Sequence, residues 1–304
     1  LRLAYFGTGS FALPTLAAMK DHVALVVTQP DRPSGRGMKM QANEVKKLAT
    51  ELGIPVVTPE KARAAEFVDS IAAEAFDALL VASYGQILSE KLLQSARCGG
   101  INLHGSILPA GRGAAPIQRS VMAGDPESGV TLMQMDRGMD TGDIIHIERT
   151  PIGEDETYGE LQDRLALIAA ELATQWMPRI VVGDYSRIPQ PEEGVTIAPK
   201  ISAEETALST DCEATTEYNR FRGLFPSYRP YLPTTAGRLR LIEVRKSMPV
   251  DAEPGTVVSL KPLTIAFRNG ALQLLSVQPE GKKMMSGSDF ANGARLRPGM
   301  RFDQ

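Results

Sequence analysis

The residues best placed to do chemistry are Asn102 and His104, in the run Asn102-Leu103-His104-Gly105-Ser106-Ile107-Leu108-Pro109. An amide and an imidazole two positions apart point to the same side of an extended strand. There the amide can donate to a carbonyl oxygen that gains charge, and the ring can relay a proton. Pro109, Gly111, Gly113 and Pro116 follow and would hold the backbone close to whatever binds. A second polar turn, Met135-Asp136-Arg137-Gly138-Met139-Asp140-Thr141-Gly142-Asp143, also follows a strand. An Asp from this turn could orient the ring or bias its protonation. Asp143, nearer the next strand, fits an Asx turn better than Asp140 does, which leaves Asp140 as the candidate partner. A metal centre of His104, His146 and the acids is the competing arrangement, but His146 in Ile144-Ile145-His146-Ile147 reads as an ordinary strand residue.

The elements that must position these groups are legible as alternation. Strand-like runs fall at 1–6, 23–28, 54–57, 77–83, 100–104 and 129–135, and helical patterns near 11–20, 42–52, 60–75, 88–96, 115–123 and 157–182. Short apolar strands separated by amphipathic helices predict α/β architecture, a doubly wound and mostly parallel Rossmann-like sheet. Ligands then sit beyond the carboxyl ends of the strands, where Asn102, His104 and Asp140 could meet. Pro189-Gln190-Pro191-Glu192-Glu193-Gly194 reads as a connection. After it come a short helix near 213–223, strand-like runs at 237–245, 255–260, 263–268 and 270–277, and a hairpin signal at Arg268-Asn269-Gly270. The expected organisation is a catalytic domain at 1–188, a linker at 189–205 and a small β-barrel domain at 206–304.

Composition narrows the class. Hydrophobic residues at 43% and charged residues at 23% allow two ordinary cores and leave no room for a disordered chain. Cys98 and Cys212 form no C-x-x-C pair, so no zinc site or disulfide framework is expected, and a reducing cytoplasm fits best. No apolar run of membrane-spanning length is read from the sequence. Leu1 to Phe6 reads as a first strand, not a signal peptide, and the missing initiator Met suggests that residues precede it. The charge is uneven: residues 1–217 carry 19 basic and 30 acidic side chains, residues 218–304 carry 14 and 6, giving nets of −11 and +8. A basic later part on an acidic protein is compatible with a polyanionic partner, and equally with a solvated basic surface.

Asn102-Leu103-His104, the run Ser106-Ile107-Leu108-Pro109 through Arg112-Gly113-Ala114-Ala115-Pro116-Ile117, and Asp140-Thr141-Gly142-Asp143 resemble the formyltransferase family that uses 10-formyltetrahydrofolate. Thr28 to Gly37 and Val277 to Met285 are similar to the branch that formylates methionine on initiator tRNA, so the likeness covers nearly the whole chain. The resemblance implies an oligonucleotide-binding (OB-like) type of barrel for the second domain, no metal, a cytoplasmic monomer, and initiator methionyl-tRNA and the folate as partners. It implies that Asn102 and His104 stabilise the oxyanion, that His104 relays protons and that Asp140 orients His104 and a water. It implies that Ser106, Ile107, Leu108 and Pro109 line the folate site, with Tyr84, Gly85, Gln86, Ile87 and Leu88 framing the pterin, and that Arg36 reaches the methionine-bearing acceptor end.

Departures from that pattern are Ala110-Gly111 where bulkier residues are usual, Ser89 in place of Pro, Cys212 in place of Trp, and Pro226-Ser227-Tyr228-Arg229-Pro230 in place of a more aromatic turn. Two readings from other classes compete, and one from within the family. An oxidoreductase would use Gly7, Gly9 and Asp31 as a dinucleotide fingerprint, an RNA-binding protein would need only the basic tail, and a sugar-amine formyltransferase would not need it. Bound nicotinamide would favour the first, formylation of charged initiator tRNA would dismiss the second, and the third would leave the basic part idle.

Overall fold

Two apolar strands, Leu3–Gly7 and Ala78–Ala82, lie side by side and fully buried, as parallel strands covered on both faces must be. The computed structural model describes residues 1–34 and 39–302. They form two compact units, one from Leu1–Pro116, Ser128–Thr150 and Gln162–Pro199, the other from Ile117–Glu127, Pro151–Leu161 and Lys200–Gln304. Chain order begins β1 (Leu3–Gly7), α1 (Leu13–Met19), β2 (Val23–Val27), β3 (Arg32–Ser34), β4 (Lys39–Gln41), α2 (Glu44–Glu51), β5 (Val56–Val57), α3 (Ala65–Ala73) and β6 (Ala78–Ala82). It continues α4 (Glu90–Leu93), β7 (Gly100–His104), α5 (Pro116–Ala123), β8 (Glu127–Gln134), β9 (Ile144–Pro151) and α6 (Tyr158–Val182).

The main sheet of the first unit runs β5-β2-β1-β6-β7-β8-β9. Its first five strands are parallel, and β8 is antiparallel to β7. The chain winds outward from β1 to β5, then returns to lay β6 on the other side of β1. That reversal opens a crevice at the carboxyl ends of the central strands. Three turns meet there: Thr8 Oγ1 donates to the Tyr84 carbonyl at 3.0 Å, and Gln29 Nε2 donates to the same oxygen at 3.1 Å. Gly7 is a packing residue, since a Cβ on it would lie 2.8 Å from Ala12 Cβ and 3.1 Å from the Ala82 carbonyl oxygen. Asp31 is engaged by Lys46 at 2.8 Å, so the acid a ribose would need is committed to an ion pair. Ser89, where the family pattern has Pro, caps α4 by accepting from Leu92 N at 3.3 Å.

Helix α6 corrects one expectation. At 25 residues it is long and apolar enough to cross a membrane by length and composition. Leu161, Leu165, Ala169, Ala173 and Met177 are nevertheless all fully buried, one stripe at every fourth position. This is a core helix whose Ala and Leu content carries over onto its outer face.

The second unit holds α7 (Ala214–Leu224), β10 (Tyr231–Thr234), β11 (Gly237–Lys246), β12 (Val257–Leu260), β13 (Leu263–Phe267), β14 (Gly270–Pro279), β15 (Met285–Ser286) and α8 (Gly287–Gly293). Its antiparallel sheet runs β10-β11-β14-β13-β12, with β15 on β14, and curls as a half-barrel around Tyr218, Phe221, Leu241, Ile265 and Leu272. The expected hairpin joins β13 to β14, with Asn269 at φ +55°. Strand β10 has no counterpart in the sequence reading because Pro233 interrupts its pattern; as an edge strand it tolerates the lost donor. Helix α8 is too short to show periodicity, but Ser286 caps it by accepting from Asp289 N at 3.0 Å.

An ion pair within this unit sets a pH dependence. Arg119 bonds both carboxylate oxygens of Glu205, which also accepts from Ser202 N at 2.8 Å. The Arg119 guanidinium, then the Ser202 amide, hold the Glu205 carboxyl down at about 2. A carboxyl lowered in the folded state stabilises the fold fully above its unfolded value and loses that contribution as pH falls through the folded one. The thermal-stability advantage of the native chain over Glu205→Gln is therefore expected at neutral pH, and to shrink between about pH 4.5 and about pH 2 as followed by melting curves.

Candidate functional site

Strand β7 places the amide and the imidazole. It pairs with β6 through Val81↔Asn102 and with β8 through Asn102↔Met133 and His104↔Thr131. Flanked on both sides, Asn102 is 8% exposed and His104 7%, so each leaves only a small polar edge open. The side chain of Asn102 finds no hydrogen-bond partner among the described residues. Its amide atoms are not fully buried, so the group stays open to water or to a ligand.

His104 meets an oxygen at each ring nitrogen. Its Nε2 lies 2.8 Å from the Gly111 carbonyl oxygen, and its Nδ1 lies 3.6 Å from Asp140 Oδ1. A carbonyl only accepts, so the Nε2 edge carries a proton and the Nδ1 edge faces the carboxylate. Asp140 reaches this position from a left-handed backbone, φ +56°, and its Oδ2 accepts from Gly113 N at 2.9 Å. Asp136 ties the base of the same turn, accepting from Gly138 N at 2.9 Å and from Thr141 Oγ1 at 2.8 Å. The structure thus brings Asn102, His104 and Asp140 together. His146 stands apart, stacked on Trp176 with ring centres 5.0 Å apart.

Beside these groups, on the Asn102 face of the sheet, is a cavity of about 190 Å³. Met133, opposite Asn102 in register, lines it with Ile87, Leu88, Met135, Met139 and Asp140. The volume is below the roughly 300–1,000 Å³ of a whole ligand site, so it accommodates part of a ligand. A larger open dent near Arg97, Tyr185 and Arg187 contains none of Asn102, His104 and Asp140.

The residues expected to bind the folate behave differently from one another. Ile87 is 83% exposed and Leu88 is buried at the cavity wall. Gln86 also borders the cavity, but its side chain accepts from Ala62 N at 2.8 Å and donates to Pro59 O at 3.2 Å, which braces a neighbouring loop. Tyr84 is turned into the core against Phe6, where burial pushes its unpartnered hydroxyl up to about 12. Gly85 takes φ +82°, as the reversal between Tyr84 and Gln86 requires. Ser106 and Leu108 are buried, and none of Ser106, Ile107, Leu108 and Pro109 lines the cavity. Ser106 Oγ instead donates to the Ala110 carbonyl at 2.7 Å, closing the turn on itself. Arg36 lies outside the described residues.

Comparison with known proteins follows the same outline. Residues 1–181 match the Formyl transferase model and residues 200–295 match Formyl transferase, C-terminal domain. Methionyl-tRNA formyltransferase of Symbiobacterium thermophilum is 43% identical over 310 residues, covering 99% of this chain and 95% of that protein. The chain belongs to the formyl transferase family. The methionyl-tRNA formyltransferase of Ralstonia pickettii is 40% identical, with 99% of this chain and 98% of that protein covered. Among solved structures, WlaRD, a sugar 3N-formyl transferase crystallised in the presence of dTDP and 5-N-formyl-THF, superposes with a TM-score of 0.66 at 18% identity over 93% of this chain and 99% of that one. HypX from Aquifex aeolicus in complex with tetrahydrofolic acid gives 0.64 at 15% identity, over 95% of this chain and 46% of that one. These two establish the formyl transferase fold. The family uses folate-derived formyl donors.

Two residues of this candidate site escaped the sequence reading. Thr131, fully buried opposite His104, donates through Oγ1 to Ser106 O at 2.6 Å and accepts from Leu108 N at 3.1 Å. Its signal was a lone hydroxyl inside the apolar strand Val130-Thr131-Leu132. Gln190 donates to the carbonyls of Asp140 and Gly142, each at 2.8 Å, from a stretch that reads as a connection. Gly142 itself cannot carry a side chain, since a Cβ there would overlap the Gln134 carbonyl oxygen. Gly142→Ala is expected to destabilise the fold by about 1–3 kcal/mol and to lower activity by displacing Asp140, read from denaturation curves and turnover on the same preparation.

Proposed function

We propose that the protein transfers a formyl group from 10-formyltetrahydrofolate to the α-amine of methionine on charged initiator tRNA. The observation that carries this reading is the unpartnered, nearly buried amide of Asn102 beside a His104 ring whose other edge faces Asp140. Such a pair suits a reaction in which an amine adds to a carbonyl carbon and negative charge gathers on oxygen. The likeness to proteins named methionyl-tRNA formyltransferase over nearly the full chain supplies the acceptor.

Asn102 donates to the formyl oxygen, most strongly once that oxygen bears charge. As the nitrogen–carbon bond forms, the amine releases a proton, and His104 or a water held by Asp140 carries it away. Asp140 stabilises the proton taken up at Nδ1 of His104. When the bond between the formyl carbon and N10 of the folate breaks, the proton returns to N10, and the products are formyl-methionyl-tRNA and tetrahydrofolate. No enzyme nucleophile is required, since the amine attacks directly. Ile87, Leu88 and the methionines form apolar walls suited to the pteridine head, with Asp136, Arg137 and Asp140 at its edge. Arg36 would approach the methionine-bearing end, and outward Arg238 and Arg240 of β11 would lie along phosphates. A charged tRNA as acceptor places the reaction in the cytoplasm, where two free thiols are at home.

With charged initiator tRNA and 10-formyltetrahydrofolate, the native chain is expected to formylate initiator over elongator tRNA, with a KM for tRNA that rises with salt. His104→Ala should lower kcat/KM roughly 100- to 10,000-fold, and Asn102→Ala roughly 100- to 1,000-fold, with melting curves unchanged in cooperativity. Near-native turnover by His104→Ala would sink the mechanism.

A further inference from the structure

Gln190 uses every hydrogen-bonding position of its side chain on the candidate site. Its Nε2 donates to the Asp140 and Gly142 carbonyls at 2.8 Å each, and its Oε1 accepts from Arg112 Nε at 3.1 Å and Nη2 at 2.7 Å. Guanidinium groups only donate and carbonyls only accept, so the carboxamide has one orientation that satisfies all four. A carboxylate there would face two carbonyl oxygens, and an apolar side chain would leave the guanidinium and both carbonyls without this partner.

The segment carrying Gln190 is stiff and well tied. Pro189 fixes its own φ, and Pro191 biases Gln190 towards extended backbone. Ile188 and Ile144 exchange backbone hydrogen bonds at 2.8 and 2.9 Å just before it. After it, Thr196 Oγ1 accepts from Gly111 N at 2.8 Å, Thr196 O from Arg112 N at 3.0 Å, and Arg112 O from Ala198 N at 2.7 Å. The loop so held is the one whose Gly111 carbonyl meets His104 and whose Gly113 amide meets Asp140.

We propose that Gln190 is a positioning residue for formyl transfer: its amide holds the left-handed turn that aims Asp140 at His104, while its oxygen locks Arg112 and the loop beyond it to the same point. The proposal rests on the reading of Asp140 as a working carboxylate. It names a residue that touches no substrate and acts only through Asp140 and the Gly111–Gly113 loop.

The test compares purified full-length native chain, Gln190→Ala, Gln190→Glu and Asp140→Asn with charged initiator tRNA and 10-formyltetrahydrofolate. Gln190→Glu keeps an acceptor for Arg112 and loses both donors to the carbonyls, which separates aiming of Asp140 from anchoring of the segment. The expected result is that both Gln190 variants lose roughly 10- to 100-fold in kcat, keep KM for the folate within about two-fold, and melt cooperatively. With only three histidines in the chain, the ring nitrogen resonances of His104 can be assigned with His104→Ala, and they should shift in both variants while those of His22 and His146 stay put. Native kcat in both Gln190 variants alongside an inactive Asp140→Asn overturns the proposal. So does loss in Gln190→Ala that Gln190→Glu restores, because Arg112 anchoring would then be the whole effect. An active Asp140→Asn instead overturns the reading of Asp140 on which the proposal stands.

Discussion

The imidazole of His104 is tied at Nε2 to the Gly111 carbonyl and faces, at Nδ1, the Asp140 carboxylate brought by a different loop. Rotating the ring would break the Gly111 hydrogen bond, so that bond sets its orientation before anything binds. The 3.6 Å gap at Nδ1 is longer than a direct hydrogen bond, which leaves room for that contact to shorten. Much of the first unit sets these two distances. The inner position of β7 fixes the Cα of His104, Thr131 fixes the exit of the chain through Ser106 and Leu108, and the left-handed Asp140 turns its carboxylate inward.

An acid delivered from a loop is ordinarily less well placed than one on a strand. Here the loop is closed by its own hydrogen bonds through Asp136, by the Gly113 amide and by the carboxamide of Gln190. Each bond is modest by itself, about 0.5–1.5 kcal/mol net. Their joint effect is geometric: the bonds meet on one residue from several directions, so no single hinge motion releases all of them.

The sheet was legible because parallel strands buried on both faces have to be written as apolar runs, and β1, β6 and β7 are. Asn102 and His104 were legible because a period of two is the simplest geometry a strand imposes. Asp140 could be chosen over Asp143 by its place in the turn. Side-chain direction in loops has no period, so Gln86 gave no sign that it braces the loop at Pro59, and Tyr84 none that it faces Phe6. Gln190 was hidden for another reason. Its partners lie 50 and 78 residues away, and its flanking prolines, read as marks of a connection, are what stiffen it.

Asn102 keeps a polar group where an apolar one would pack. The position lies between Val81 and Met133, where a Leu would fill the space with no polar group to satisfy. The amide instead keeps its polar edge open, bonded to no described residue. In the proposed reading, that open donor is aimed at an oxygen that gains charge. A donor already bonded to the protein would have to break that bond first, and the gain would shrink by the bond's own strength. In the reading proposed for this site, a donor that bonds a charged oxygen more strongly than a neutral one would stabilise the intermediate over the formyl group, and that difference accelerates a reaction.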